Sequence, residues 1–138
     1  VYALITCICF GLGYGYNFLA VLITASTNEL KRVLFSLDQK ERSISRSAYL
    51  GDLLVTCYSI HSRNRRFGTY IGKGYSVDST KSVMNMVAEG YNATHCLYHL
   101  LMENDFISKA PIILATYNIL YMDADPKIEI EKLSTIMS

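Results

Sequence analysis

Apolar residues along this chain recur at helical spacing, and no segment alternates apolar and polar residues as a half-buried strand does. Residues 1 to 9 are almost wholly apolar and predict a buried helix, which glycines at positions 11, 13 and 15 should end with a turn. Asn17 is predicted to cap a second helix that runs to about Leu37. Its apolar, inward-facing positions are Leu19, Leu22, Ile23, Leu30, Val33 and Leu34.

The middle of the chain is interrupted by polar and glycine-rich stretches. Residues 38 to 47 predict a solvated connector. A helical element is expected around residues 52 to 56, and Ser62 is expected to open a further helix as its N-cap. Glycines at positions 68, 72 and 74 predict that this helix gives way to a loop from Gly68 to Thr80.

The last third of the chain returns to helical spacing. A helix is predicted from Val83 to Leu101, and Pro111 suits the first turn of another helix that ends near Tyr121. Asp125-Pro126 is predicted to open the last helix. The apolar positions of that helix, all expected to dock on the bundle, are Ile128, Ile130, Leu133 and Ile136. The predicted fold class is all-α, a multi-helix bundle.

Length, charge and cysteine content narrow the class of protein. The 138 residues predict one domain, residues 1–138, and the net charge of +1 gives no general attraction to polyanions. The four cysteines, at positions 7, 9, 57 and 96, lack the spacing of a disulfide framework or of the usual zinc sites. Reduced cysteines and a cytoplasmic location are therefore expected.

The first 28 residues contain no charged side chain. Such a run raises the possibility of a membrane span or a signal peptide, but glycines interrupt it and the basic start of a signal peptide is missing. Two buried helices joined by a glycine turn are the preferred interpretation. Because the chain starts inside an apolar run without a methionine, we expect it to be a domain whose N-terminus lies upstream.

The polar groups best suited to chemistry lie between Gly51 and Gly68. Asp52 and Thr56 stand four residues apart and would share one helical face. Arg63 and Asn64 would follow Ser62 in a first turn, where free N–H groups favour an anion and an arginine fork would complete a phosphate site. The alternative interpretation is a capped surface helix with a solvated basic face.

No metal site is predicted. His95 and His99 are one helical turn apart, but the sequence fixes no third ligand for them.

Several segments together resemble a known enzyme family. The run from Gly51 to Gly68, with Gly-Asp-Leu, Thr-Cys and Ser-Arg-Asn-Arg in order, resembles the signature of the NAD(P)-dependent glycerol-3-phosphate dehydrogenases, in their C-terminal domain. The resemblance covers essentially the whole chain. The other matching segments are Gly11-Leu12-Gly13-Tyr14-Gly15, Asn17, Ile23-Thr24, Glu29, Val87-Ala88-Glu89-Gly90, Tyr121 and Asp125-Pro126.

The resemblance implies both a fold and a reaction. The fold would be the helical C-terminal domain of the 6-phosphogluconate dehydrogenase-like superfamily, preceded by a Rossmann domain that this chain does not contain. The reaction would be reversible hydride transfer between NAD or NADP in its reduced form and dihydroxyacetone phosphate. The product, sn-glycerol 3-phosphate, would serve phospholipid synthesis. A homodimer is also implied, with no membrane span and no nucleic acid partner, and this fragment alone should be inactive.

The resemblance also assigns roles to individual residues. The proton-transfer lysine of the family would lie just upstream of Val1. The implied catalytic residues present here are Asp52 and Thr56. The implied substrate-binding residues are Asp52, Ser62, Arg63 and Asn64, and the implied cofactor-binding residues are Arg63, Val87 and Glu89. The sequence departs from the usual family pattern at Phe10, Tyr16, Ala25 and Tyr49, which bears on local packing and on activity.

Two other functions could use some of the same residues. A non-enzymatic helical module could bind a phosphate-bearing partner such as nucleic acid through Arg63, Arg65 and Arg66, but the basic cluster is short and no recognition-helix motif accompanies it. A related dehydrogenase could act on another hydroxy acid. The Ser-Arg-Asn triplet that follows Gly-Asp-Leu argues against it.

Overall fold

The structure is a computed structural model that describes residues 1–38, 63–83 and 89–137. Within those ranges the chain forms helices and no strand, which confirms the all-α prediction. The helices are α1 (Tyr2–Gly11), α2 (Tyr16–Asp38), α3 (Arg63–Gly72), α4 (Val77–Val83), α5 (Glu89–Glu103), a 3₁₀ helix (Ile107–Lys109), α6 (Pro111–Tyr121) and α7 (Pro126–Met137).

Helix α1 lies at the centre of the described bundle. It packs most extensively on α3 and also touches α2, α5 and α6. A helix that is apolar all round needs neighbours on every face, so burial in the bundle accounts for the uncharged start of the chain. None of the described helices combines the length and the apolar character that crossing a membrane requires. The buried side chains of α1 are Tyr2, Leu4, Ile5, Thr6, Cys7, Ile8 and Cys9.

Three glycines let α1 and α3 approach closely. A Cβ atom added at Gly72 would collide with the carbonyl oxygen of Ile8, and one added at Gly11 would lie 2.5 Å from the carbonyl oxygen of Thr69. At Gly68 the added atom would lie 2.7 Å from a side-chain atom of α1. All of these separations are shorter than van der Waals contact, so only glycine fits at this interface.

The predicted loop from Gly68 to Thr80 is wrong over most of its length. Gly68 and Gly72 lie inside α3, and Val77 begins the short helix α4. The break between the two helices is confined to residues 73–76, where Gly74 adopts a positive φ of 104°. Glycine was interpreted as a helix breaker here, whereas two of the three glycines serve close helix packing.

The predicted glycine turn after α1 is present but shorter than expected. Gly11 is the last residue of α1, and Gly13 takes the positive φ of 92° that the turn requires. The prediction that Asn17 caps the second helix is wrong, because α2 already begins at Tyr16.

The starts of the last two helices agree with prediction. Pro111 is the first residue of α6. A backbone N–H at this position would have no acceptor within the helix, so proline costs no hydrogen bond there. Asp125 precedes α7, and its carboxylate accepts a hydrogen bond of 2.9 Å from the N–H of Lys127. The predicted helix from Val83 to Leu101 is present from Glu89 onward as α5, and residues 84–88 lie outside the described part.

Only half of the predicted apolar face of α7 is covered. Ile130 and Leu133 are buried against the bundle, as predicted. Ile128 and Ile136 are 51% and 63% exposed, so the prediction that they dock on the bundle is wrong. The helical spacing of the apolar residues predicts that they share one face of the helix, but it does not determine which neighbouring helix covers that face.

A buried carboxylate joins α2 to the start of α6. The Glu29 side chain is fully buried, and its two oxygens accept hydrogen bonds of 2.7 and 3.0 Å from the N–H groups of Ile112 and Ile113. A carboxylate at a helix N-terminus satisfies free N–H groups and complements the dipole. Burial nevertheless raises the pKa of Glu29 above its usual value, while the two N–H groups and the Tyr2 hydroxyl beside it act in the opposite direction.

Replacing Glu29 with glutamine should lower the stability of the fold. The amide has one acceptor oxygen in place of two and would turn an N–H₂ group toward a backbone N–H, so we expect a loss of about 1–3 kcal/mol in the free energy of unfolding. Urea titrations of wild type and Glu29→Gln measure that loss. The exposed Glu131 on α7 is the matched control, since Glu131→Gln changes the same groups in solvent. Equal stability of the two variants would contradict this role for Glu29.

Candidate functional site

The structure describes some of the predicted site residues and not others. Arg63 and Asn64 form the start of α3, and Glu89 is the first residue of α5, with their backbones helical. The remaining predicted residues, Asp52, Thr56, Ser62 and Val87, lie outside the described residues. Their roles stay predictions.

The start of α3 has an unusual distribution of charge. The described part of α3 runs from Arg63 to Gly72, and its sequence contains three arginines and no carboxylate. Cations at the N-terminal end of a helix face the positive end of its dipole, and free N–H groups there prefer an anion. A bound phosphate would relieve that repulsion and accept bonds from both kinds of donor, so the arrangement suits a phosphate group.

The body of α3 fixes that end of the helix on the core. Phe67, one turn after Arg63, is fully buried, and Ile71 is buried a further turn along. Gly68 and Gly72 bring the same helix against α1. The part of α3 that follows Arg63 therefore packs closely on α1 and the core.

The start of α5 lies beside α3. The ring of Tyr91, in the first turn of α5, contacts the ring of Phe67 with centroids 5.8 Å apart. Glu89 belongs to the same helix. The contact between the Phe67 and Tyr91 rings therefore joins the helix that contains Arg63 and Asn64 to the helix that contains Glu89.

Aromatic side chains continue from Tyr91 onto α6. The hydroxyl of Tyr121 donates a hydrogen bond of 2.6 Å to the carbonyl oxygen of Tyr91, and the two rings stack with centroids 4.5 Å apart. Further along, Tyr117 stacks on Tyr98 at 3.6 Å. Sequence reasoning gave no role to Tyr91 and noted Tyr121 only within the family resemblance. The four-residue spacing of Tyr117 and Tyr121 was the available sign of a shared helical face.

His95 and His99 belong to the same aromatic face. Their ring centroids lie 4.4 Å apart, and both rings contact Tyr117. Across the residues that the structure describes, no three His, Cys, Asp or Glu side chains gather closely enough to hold a metal ion.

A surface groove lies at the opposite end of α3. Its volume is about 360 Å³, and its lining includes Ile71, Tyr75, Asp123 and Pro126. None of the predicted site residues lines it. The groove is therefore separate from the helix start at Arg63.

Three of the four departures from the family pattern are described. Phe10 and Ala25 are partly buried and pack against the core, whereas Tyr16 is exposed at the start of α2. The apolar replacements at Phe10 and Ala25 are thus accommodated by packing. Tyr49 lies outside the described residues.

The same arrangement of helices occurs in a solved dehydrogenase. The crystal structure of glycerol-3-phosphate dehydrogenase from Coxiella burnetii superposes with a TM-score of 0.85 over 96% of this chain and 40% of that chain, at 31% sequence identity. The fold is therefore that of the helical part of a dehydrogenase.

Sequence comparison identifies the family. The family described as NAD-dependent glycerol-3-phosphate dehydrogenase C-terminus matches residues 1–131, and this chain belongs to it. Enzymes named glycerol-3-phosphate dehydrogenase [NAD(P)+] from Francisella philomiragia and from Salinibacter ruber are each 37% identical over 125 residues, which is 91% of this chain. The chain spans 37% of the first relative and 36% of the second, little more than a third of their length.

Proposed function

We propose that the protein containing this chain is an NAD(P)-dependent glycerol-3-phosphate dehydrogenase, and that the chain binds the substrate phosphate. The observation that carries the proposal is the start of α3, where arginines without a carboxylate follow Ser62 at a helix N-terminus. Membership of the family and the activity for which the relatives are named support the same function.

The phosphate would be held by the first turn of α3. The Arg63 guanidinium can donate two parallel hydrogen bonds to phosphate oxygens, while Ser62 and Asn64 supply further donors. Binding of the phosphate would also orient the carbonyl group at the other end of the substrate. A substrate held in this way has already lost much of its translational and rotational entropy before the reaction.

The reacting end of the substrate would lie near Asp52 and Thr56. When bound, NADH or NADPH supplies the hydride that reaches the carbonyl carbon. The carbonyl oxygen must receive a proton in the same conversion, and the family resemblance assigns that proton to a lysine upstream of Val1. Asp52 would hold the ammonium group of that lysine and accept from a substrate hydroxyl, and Thr56 would support the same pocket.

The cofactor would meet this domain at the start of α5. The family resemblance assigns cofactor contacts to Val87, Glu89 and Arg63. The contact between the Tyr91 and Phe67 rings, which joins the helix of Glu89 to the helix of Arg63, supports this proposal. We also propose an upstream Rossmann domain, a homodimer, a cytoplasmic location and a role in supplying glycerol 3-phosphate for phospholipids.

An activity measurement tests the proposal. The full-length protein should oxidise NADH or NADPH when dihydroxyacetone phosphate is added, because the cofactor domain and the lysine are then present. Residues 1–138 alone should show no turnover in the same absorbance assay. Absence of turnover by the full-length protein with both cofactors would refute the function. Turnover by residues 1–138 alone would refute the proposal that the cofactor domain and the lysine lie upstream.

A further inference from the structure

One contact outside the predicted site fixes the backbone of α5 at Tyr91. Tyr121 lies on the last turn of α6, 30 residues beyond Tyr91, and its hydroxyl donates a hydrogen bond of 2.6 Å to the Tyr91 carbonyl oxygen. The Tyr121 ring stacks on the Tyr91 ring with an interplanar angle of 30°. A helical carbonyl has a second lone pair beyond its own helical bond, so the added hydrogen bond ties the turn without unwinding it.

The same turn is held from its other side by α3. Phe67 is fully buried, and its ring meets the Tyr91 ring at an interplanar angle of 59°. Tyr91 thus lies between the helix that begins at Arg63 and the end of α6. The hydrogen bond from Tyr121 acts directly on the Tyr91 backbone, whereas Phe67 contacts the Tyr91 ring.

We propose that Tyr121 is a positioning residue for the cofactor side of the site, because its hydroxyl holds the helical turn that contains Glu89 and Tyr91. This inference rests on the proposed function, which assigns a cofactor contact to Glu89. Tyr121 touches neither reacting group and acts through the Tyr91 backbone.

The environment of Tyr121 suits this role. The side chain is half-buried at the edge of the bundle, while its helix is anchored by the buried Ile119 and Leu120. Removal of the hydroxyl alone should therefore leave the core intact. Burial raises the pKa of Tyr121 above its usual value, so the hydroxyl stays protonated and remains a donor at neutral pH.

Tyr121→Phe in the full-length protein tests the inference, because it keeps the ring and removes only the donor. Loss of one such hydrogen bond should raise the KM for NADH about 3- to 10-fold, with less than about a 2-fold change in the KM for dihydroxyacetone phosphate. Hydrogen exchange of the amides of residues 93–95, whose helical partners are the carbonyls of residues 89–91, should accelerate by about the same factor as the KM for NADH.

Tyr117→Phe is the matched control. Tyr117 lies one turn earlier on α6 and stacks on Tyr98, and its hydroxyl makes no hydrogen bond to a described residue. Tyr117→Phe should leave both KM values and the exchange of residues 93–95 unchanged.

The outcomes separate this inference from the proposed function. An active wild type in which Tyr121→Phe and Tyr117→Phe behave alike would overturn the role of Tyr121 alone. Equal increases in both KM values, or a lower melting temperature with unchanged KM values, would show a purely structural role and would also overturn it. A wild type without dehydrogenase activity would overturn the proposed function and, with it, this inference.

Discussion

Arg63→Lys in the full-length protein should reduce kcat/KM for dihydroxyacetone phosphate by roughly 30- to 1000-fold. Lysine keeps the positive charge but loses the planar fork that donates two parallel bonds to a phosphate. Loss of one bidentate, charge-assisted contact costs on the order of 2–4 kcal/mol of transition-state binding, which corresponds to that factor. Steady-state kinetics at saturating NADH measure the change.

Arg66→Lys provides the control for this substitution within the same helix. Arg66 is exposed and lies beyond the first three residues of α3, so its loss of fork geometry should change kcat/KM by less than about 2-fold. Equally mild effects of the two substitutions would mean that Arg63 does not bind the phosphate. The alternative of a capped helix with a solvated basic face would then replace the phosphate site.

Gly72→Ala should destabilise the domain by about 2–4 kcal/mol and lower its melting temperature by roughly 10 °C. The new methyl group would collide with the backbone of α1, including the Ile8 carbonyl oxygen and, at 2.9 Å, the amide nitrogen of Leu12. Neither group can rotate away as a side chain can, so α1 and α3 must separate. Calorimetry or thermal circular dichroism of residues 1–138 measures the shift.

The matched control for Gly72→Ala is Gly15→Ala. Gly15 has no atom within 4 Å of an added Cβ, and its φ is not in the left-handed region, so alanine should be tolerated there. We expect a change of less than about 1 kcal/mol, partly through the smaller entropy of the unfolded chain. A Gly72→Ala variant as stable as Gly15→Ala would contradict the close packing of α1 on α3.

The presence of these helices could be predicted because the sequence features that favour a helix lie within or beside it. The spacing of apolar residues in α2, the proline that starts α6 and the capping Asp125 of α7 act within a few residues of chain. A helix after Ser62 was also predicted, from the polar residues that favour a helix N-terminus, and α3 covers Arg63–Gly72.

Features that depend on distant residues were missed. Gly68 and Gly72 look like breaks until α1 is placed against them, and only then does their lack of a side chain become a packing requirement. Glu29 bonds to residues 83 and 84 positions away, and Tyr121 to a carbonyl 30 positions away, distances that no local pattern encodes. Ile128 and Ile136 were predicted to be buried but are exposed, because an apolar residue does not by itself determine which helix covers it.

The candidate site was likewise predictable only in part. The resemblance assigned roles to Arg63, Asn64 and Glu89, and the structure adds that the two helices containing them touch through the Phe67 and Tyr91 rings. That contact joins side chains 24 positions apart, so it could not be read from local spacing.

The dependence of catalysis on the substrate phosphate tests the central claim most directly. The measurement is the ratio of kcat/KM for dihydroxyacetone phosphate to that for dihydroxyacetone, in the full-length protein and in Arg63→Lys. We expect a large ratio in the wild type that falls roughly 30- to 1000-fold in Arg63→Lys, because only the phosphorylated substrate uses the arginine fork. A ratio that is the same in both proteins would contradict a phosphate site at the start of α3.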